Sequence, residues 1–129
     1  MMFHTFRNQD ERRNFGGSAF IEMQFCRLPA GTDLHTLTSA GSICHWQNDS
    51  LYISEESLFY EAYNSIFDCG FYSNCCSGKV DIYGINYYPP SCLEAIIEKL
   101  CLIQPEGHNV LLDWLEKARA FNGVYILGI

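Results

Sequence analysis

The sequence predicts an α+β fold, a single domain in which a mainly antiparallel sheet packs against about three helices. Three observations point there. The stretch KVDIYGINYY, residues 79–88, is β-branched and aromatic, and it runs through Pro89-Pro90 into an amphipathic helical pattern. Helical apolar stripes recur twice more, around Leu58 and around Trp114. Short alternating segments broken by Pro, Gly, Asn and Asp fill much of the first half, which is the mark of antiparallel strands and turns. The 129 residues, 48% of them apolar, suit one domain that buries roughly two thirds of its unfolded surface.

Residues 1–17 are rich in Asn, Arg, Gln and Gly and show no sustained period, so a flexible N-terminal arm is expected, with the ordered domain spanning 18–129. From Ser18 to Leu28 the alternation predicts a strand, with Ala19, Ile21, Met23 and Phe25 inward and Glu22 and Gln24 toward solvent. Pro29, Gly31 and Asp33 make a turn, and a weak strand follows over 34–38. SICHW and LYI, joined by Gln47–Ser50, read as a hairpin. Ser54 as N-cap and Glu55-Glu56 in the first turn start a helix over 55–68, with Leu58, Phe59, Ala62 and Ile66 buried.

Residues 69–78 are a loop or short strand, and 79–88 a long, well-buried strand that Pro89 stops. Ser91 and Glu94 match a capping box for a helix over 92–103, with Leu93, Ile96, Ile97, Leu100 and Cys101 as its stripe. A further helix over 106–121 buries Leu111, Trp114, Leu115 and Ala118. The closing VYILGI is apolar throughout and predicts a strand inserted between buried neighbours, because exposed it would be an adhesive edge.

The formal net charge is −7, and its distribution says more than its sum. From Leu28 to Gly78 there is no Lys or Arg, while Asp33, Asp49, Glu55, Glu56, Glu61 and Asp68 fall inside that gap. Such a field repels nucleic acid and anionic membrane surfaces and speeds association with a basic protein. There is no apolar run long enough to span a bilayer, and the polar, charged start MMFHTFRNQDERR is not expected to be a signal peptide, so the expected location is cytoplasmic. Seven cysteines, an odd number set mostly in apolar stretches, argue for reduced thiols.

No catalytic, metal or cofactor constellation stands out. Adjacent Cys44-His45 and Cys75-Cys76 lack the two-to-four-residue separation by which structural zinc sites pair their ligands. Phe15-Gly16-Gly17-Ser18 lacks the preceding strand and the lysine of a phosphate loop. On the helix over 55–68, the side opposite the buried stripe carries Tyr60, Glu61, Asn64 and Asp68, an aromatic ring among carboxylates. That is the expected partner-binding face, with Asp49 in the preceding turn as an extension.

The C-terminal pattern, KVDIYGINYYPPSCLEAIIEKL followed by NVLLDWLEKARAFNGVYILGI, in a small acidic chain resembles immunity proteins of bacterial contact-dependent growth inhibition and related polymorphic toxin systems. The likeness covers about half the chain and carries no site residue. It implies a cytoplasmic, non-enzymatic antidote that binds a toxin domain, often a nuclease, and blocks its active site or substrate surface. A basic nuclease would complement the Lys/Arg-free middle of this chain. Two other classes fit the residues: a small enzyme or ligand-binding domain, which a deep pocket with convergent polar groups would favour, and an adaptor subunit, which a large exposed apolar face would favour.

Overall fold

A computed structural model describes residues 2–16, 20–44 and 46–128. Among the described residues seven strands form one sheet: β1 Phe3–His4, β2 Ile21–Phe25, β3 Leu51–Ile53, β4 Gly70–Phe71, β5 Ser77–Gly78, β6 Ile85–Tyr88 and β7 Val124–Leu127. Their order is β1-β3-β2-β7-β6-β4-β5, and every pairing is antiparallel. The expected α+β class with an antiparallel sheet is therefore observed. The helices number five among the described residues, against the expected three or so: α1 Gln9–Gly16, α2 Leu34–Leu37, α3 Glu56–Tyr63, α4 Pro90–Ile103 and α5 His108–Lys117.

The last strand is the centre of the sheet, flanked by β2 and β6, as its unbroken apolar character requires. Paired residues share a face, so the register sorts the side chains. Ile21, Met23, Phe25, Leu51, Ile53, Val124, Ile126 and Tyr88 point to one side, where they form the main core with the inner faces of α3, α4 and α5. Trp114 and Phe121 sandwich the Phe25 ring at centroid distances of 4.2 and 4.6 Å. The other side carries Tyr52, Glu22, Leu127 and Ile85 in one row and Gln24, Tyr125 and Tyr87 in the next.

That second face is also covered. Phe6, Phe20, Trp46 and Tyr52 cluster over one part of it, and Cys26, Leu37, Tyr87 and Tyr125 over another. Glu22 and Gln24 are consequently buried rather than solvated as expected, and Ala19, the expected inward neighbour of Ile21, lies outside the described residues. The covering layer comes largely from segments whose sequence shows no period. Over residues 2–16 the expected arm is a docked strand and helix: Met2 and Phe3 enter the main core because β3 offers a free edge, and β1 pairs there as Phe3 opposite Ile53. The weak strand over 34–38 is instead the short helix α2, because the Asp33 carboxylate accepts from the Thr36 N–H and hydroxyl and caps it. Among the described residues SICHW does not pair with LYI, His45 lying outside them; β3 bonds to β1 and β2, and Ala40–Ser42 is a 3-10 turn.

Three further boundaries shift for local reasons. α3 stops at Tyr63 and does not reach Asp68, since the Asn64 amide donates to the Tyr60 carbonyl at 2.7 Å and terminates the ladder. Ser54 does not cap it, because its hydroxyl is bonded to His4 Nε2 at 2.9 Å. At α4, Pro89 takes the cap position with Pro90 in the first turn, so Ser91 caps nothing and Glu94 pairs with Arg119. Only the last four residues of the predicted long strand 79–88 are a strand; 81–84 is a turn.

Candidate functional site

The turn that replaces half of the predicted strand creates the most exposed aromatic residue among the described large hydrophobics: Tyr83 is 74% accessible. Its geometry is set by hydrogen bonds that outcompete a ladder. Asp81 Oδ1 accepts from the Tyr83 N–H at 3.0 Å, and the Gly84 N–H reaches the Asp81 carbonyl at 3.3 Å. Asn86, 1% exposed on β6, clamps the turn from within. Its Oδ1 accepts from the Asp81 N–H at 2.8 Å, and its Nδ2 donates to the carbonyls of Asp81 at 2.8 Å and Ile126 at 2.9 Å.

Tyr83 borders two depressions. One, of about 390 Å³, lies between it and Tyr60 of α3, with Val80, Asp81 and Ile82 as the remaining wall. Tyr60 is itself 37% exposed and its neighbour Leu58 46%, so the expected burial of Leu58 is corrected: the inward residues of α3 are Phe59 and Tyr63, which pack edge-on against Phe3. Among the described residues no cation lies within ion-pair distance of Glu55, Glu56, Glu61 or Asp81. Two exposed tyrosines therefore stand over a shallow cleft lined by the uncompensated Asp81, with Glu61 next to Tyr60 on α3.

The expected contact residues divide on this frame. Tyr60 and Glu61 are exposed on α3, with Asn64 at its end. Asp68 lies beyond the helix and is held by Lys99 at 2.7 Å. Asp49 is ion-paired with Arg27, its carbonyl accepting from the Trp114 indole N–H at 2.9 Å. It precedes Leu51, which pairs with Met23, so it sits at the Phe25 end of the sheet, while α3 leaves β3 from the Ile53 end. The structure thus brings Tyr60 beside Tyr83 and Asp81 and sets Asp49 apart. Tyr83 and Asp81 were missed because 79–88 reads as strand by propensity alone; the Asp-x-x-Gly spacing from Asp81 to Gly84 was the available signal for a turn.

The second depression, of about 420 Å³, lies on the other side of Tyr83, over the second face of the sheet, with Glu22 and Arg12 in its lining. Glu22 Oε2 accepts from Ser50 Oγ at 2.7 Å, Gln24 Nε2 at 2.8 Å and Tyr52 OH at 3.1 Å. Burial raises its pKa above the usual carboxylate value, and those three donors and the nearby Arg12 guanidinium oppose the rise. Burial, and after it the same carboxylate, pushes the pKa of the Tyr52 hydroxyl upward.

All seven cysteines are free thiols, and four of them are exposed: Cys75 and Cys76 in the 69–78 loop, and Cys44 and Cys101 although they fall in apolar stretches. Burial and the adjacent Cys92 push the Cys69 thiol up to about 12, where it is a poor nucleophile at neutral pH. No three His, Cys, Asp or Glu side chains converge as a metal site among the described residues, and His45 lies outside them. No helix among the described residues is long and apolar enough to cross a membrane. No protein-family model, curated protein or solved structure matches the chain.

Proposed function

We propose that this chain is a cytoplasmic immunity protein that binds a basic toxin domain, a nuclease, and neutralises it by covering its active site or substrate surface. The observation that supports this best is the surface shared by α3 and the 81–84 turn. It combines exposed Tyr60 and Tyr83 with the unpaired carboxylates of Glu61 and Asp81, in a chain of net charge −7. Aromatic anchors ringed by charge are the usual composition of energetically dominant contacts, and the carboxylates steer a cationic partner. Asn64 extends the surface along α3, Asp68 lies beyond the helix in an ion pair with Lys99, and Asp49 lies at the other end of the sheet, outside the surface.

Co-expression tests the proposal directly. The C-terminal domain of a large secreted effector encoded beside this gene should arrest growth when expressed alone, and this chain should relieve the arrest and co-purify with that domain. Reversal of Glu61 and Asp81 to Lys should slow association at low salt and leave dissociation nearly unchanged, because peripheral charges act on encounter. A neighbouring effector domain that this chain neither binds nor neutralises, or association equally fast before and after reversal, would refute it.

A further inference from the structure

The cavity over Glu22 shares only Tyr83 with the Tyr60–Tyr83 cleft, and its chemistry differs. Its floor is Leu127 and Ile85 of β7 and β6, and its walls are Phe20, Ile43-Cys44 and the Tyr83-Gly84 turn. About 420 Å³ falls within the roughly 300–1,000 Å³ typical of small-molecule sites. Two residues of opposite charge line it from different elements. Glu22 stands on β2 and Arg12 on α1, and they do not pair with each other within ion-pair distance.

Each is half satisfied. Glu22 is 6% exposed, and all three of its donors converge on Oε2 from its own strand and from the β3 side. The cavity lies on the opposite, β7 side, and Oε1 has no donor among the described residues. The Arg12 guanidinium lies 5.8 Å from the Trp46 and Tyr52 ring centroids, and its Nε has no hydrogen-bond partner. Arg12 is near enough to ease the charge on Glu22 but not to form an ion pair with it, so a ligand that contacts both directly gains most here. A simple cation would meet Arg12, a simple anion would meet Glu22, and a neutral apolar molecule would leave both charges dry.

We propose that this cavity binds a small zwitterion, an α-amino acid with an apolar side chain, whose ammonium faces Glu22 Oε1, whose carboxylate faces Arg12 and whose side chain lies on Leu127, Ile85 and Phe20. The proposal does not rest on the toxin-binding reading, although Tyr83 borders both sites. Calorimetric titration of the full chain with the standard amino acids tests it, with phenethylamine and 3-phenylpropionate as probes that each lack one charge of phenylalanine. Apolar amino acids should bind saturably, and each single-charge probe should bind at least about tenfold more weakly, as expected for loss of a charge-assisted hydrogen bond. Glu22→Gln and Arg12→Met should each weaken amino-acid binding by a similar factor, while Tyr60→Ala leaves it unchanged. Arg12 is half-buried on a helix with no buried residue, so Arg12→Met, with its fold checked by thermal melting, decides the matter even where Glu22→Gln alters folding. No saturable binding of any standard amino acid, or single-charge probes that bind as tightly as phenylalanine, would overturn the proposal.

Discussion

Replacing Asn86 by alanine should destabilise the protein by about 3–4 kcal/mol and release the turn that presents Tyr83. Asn86 is 1% exposed, and its amide makes three bonds of 2.8–2.9 Å, to the N–H and carbonyl of Asp81 and to the carbonyl of Ile126. A typical intramolecular hydrogen bond contributes about 1 kcal/mol net, and a buried group left without a partner adds its own desolvation penalty, which gives the figure above. The loss has two readouts with different reach. Urea unfolding measures the global change, while amide exchange of residues 81–84 should accelerate by more than the global change alone requires, since the turn opens locally. Asn86→Asp is the sharper variant: it keeps the shape and the acceptor for the Asp81 N–H but points a carboxylate at two carbonyls. Its deficit should shrink as the pH falls and the added acid becomes a donor. A loss below about 1 kcal/mol for Asn86→Ala, with unchanged exchange at 81–84, would refute the claim that this side chain builds the turn.

Three other outcomes follow from the same geometry. Gly31 and Gly123 have nearly equal φ, +91° and +89°, but a methyl at Gly31 meets nothing, whereas at Gly123 it meets the Tyr88 carbonyl, Tyr87 Oη at 3.0 Å and Pro89 Cα at 3.1 Å. Urea melts should therefore show Gly31→Ala costing about 1 kcal/mol and Gly123→Ala more than about 3. Glu22 has a raised folded-state pKa, so between the usual carboxylate value and that raised value the folded protein holds a proton the unfolded chain has released. Stability then falls as pH rises through that window and stays lower above it. Glu22→Gln should accordingly gain in melting temperature over wild type near pH 7 compared with near pH 4, as thermal scans would show. With Tyr83 74% and Tyr60 37% exposed, full burial of about 200 Å² rings at roughly 25 cal/mol per Å² bounds their truncation to alanine at about 3.5 and about 2 kcal/mol of partner affinity. Equal effects in a binding titration, or unfolding free energies from urea shifted by more than about 0.5 kcal/mol, would contradict that assignment.

The elements legible in the sequence share one property: their signal repeats. Leu93, Ile96, Ile97 and Leu100 on α4, and Leu111, Trp114 and Leu115 on α5, fall at helical spacing and are all buried, and Ile21, Met23 and Phe25 alternate inward on β2. The VYIL run could be placed inside a sheet because no solvated edge tolerates it. Where one contact or one hydrogen bond decided the outcome, periodicity had nothing to report. Two residues, Met2 and Phe3, dock the N-terminus, and one amide, Asn64, ends α3 well short of Asp68.

What the sequence alone determined, then, is the α+β class, the two C-terminal helices, the central last strand and the acidic, cation-free middle, since each follows from the composition or period of a contiguous segment. The positions of the candidate sites were decided only in three dimensions. Propensity makes 79–88 a strand, and it is the bond from Asn86 across to Ile126 on β7, 40 residues away, that helps hold 81–84 as a turn and leaves Tyr83 in solvent. Likewise Glu22 alternates like any solvent-facing residue on β2. It becomes a buried carboxylate at a cavity because α1 and the segment before β3 close over the second face, and burial of one segment by distant others is not encoded in its own pattern.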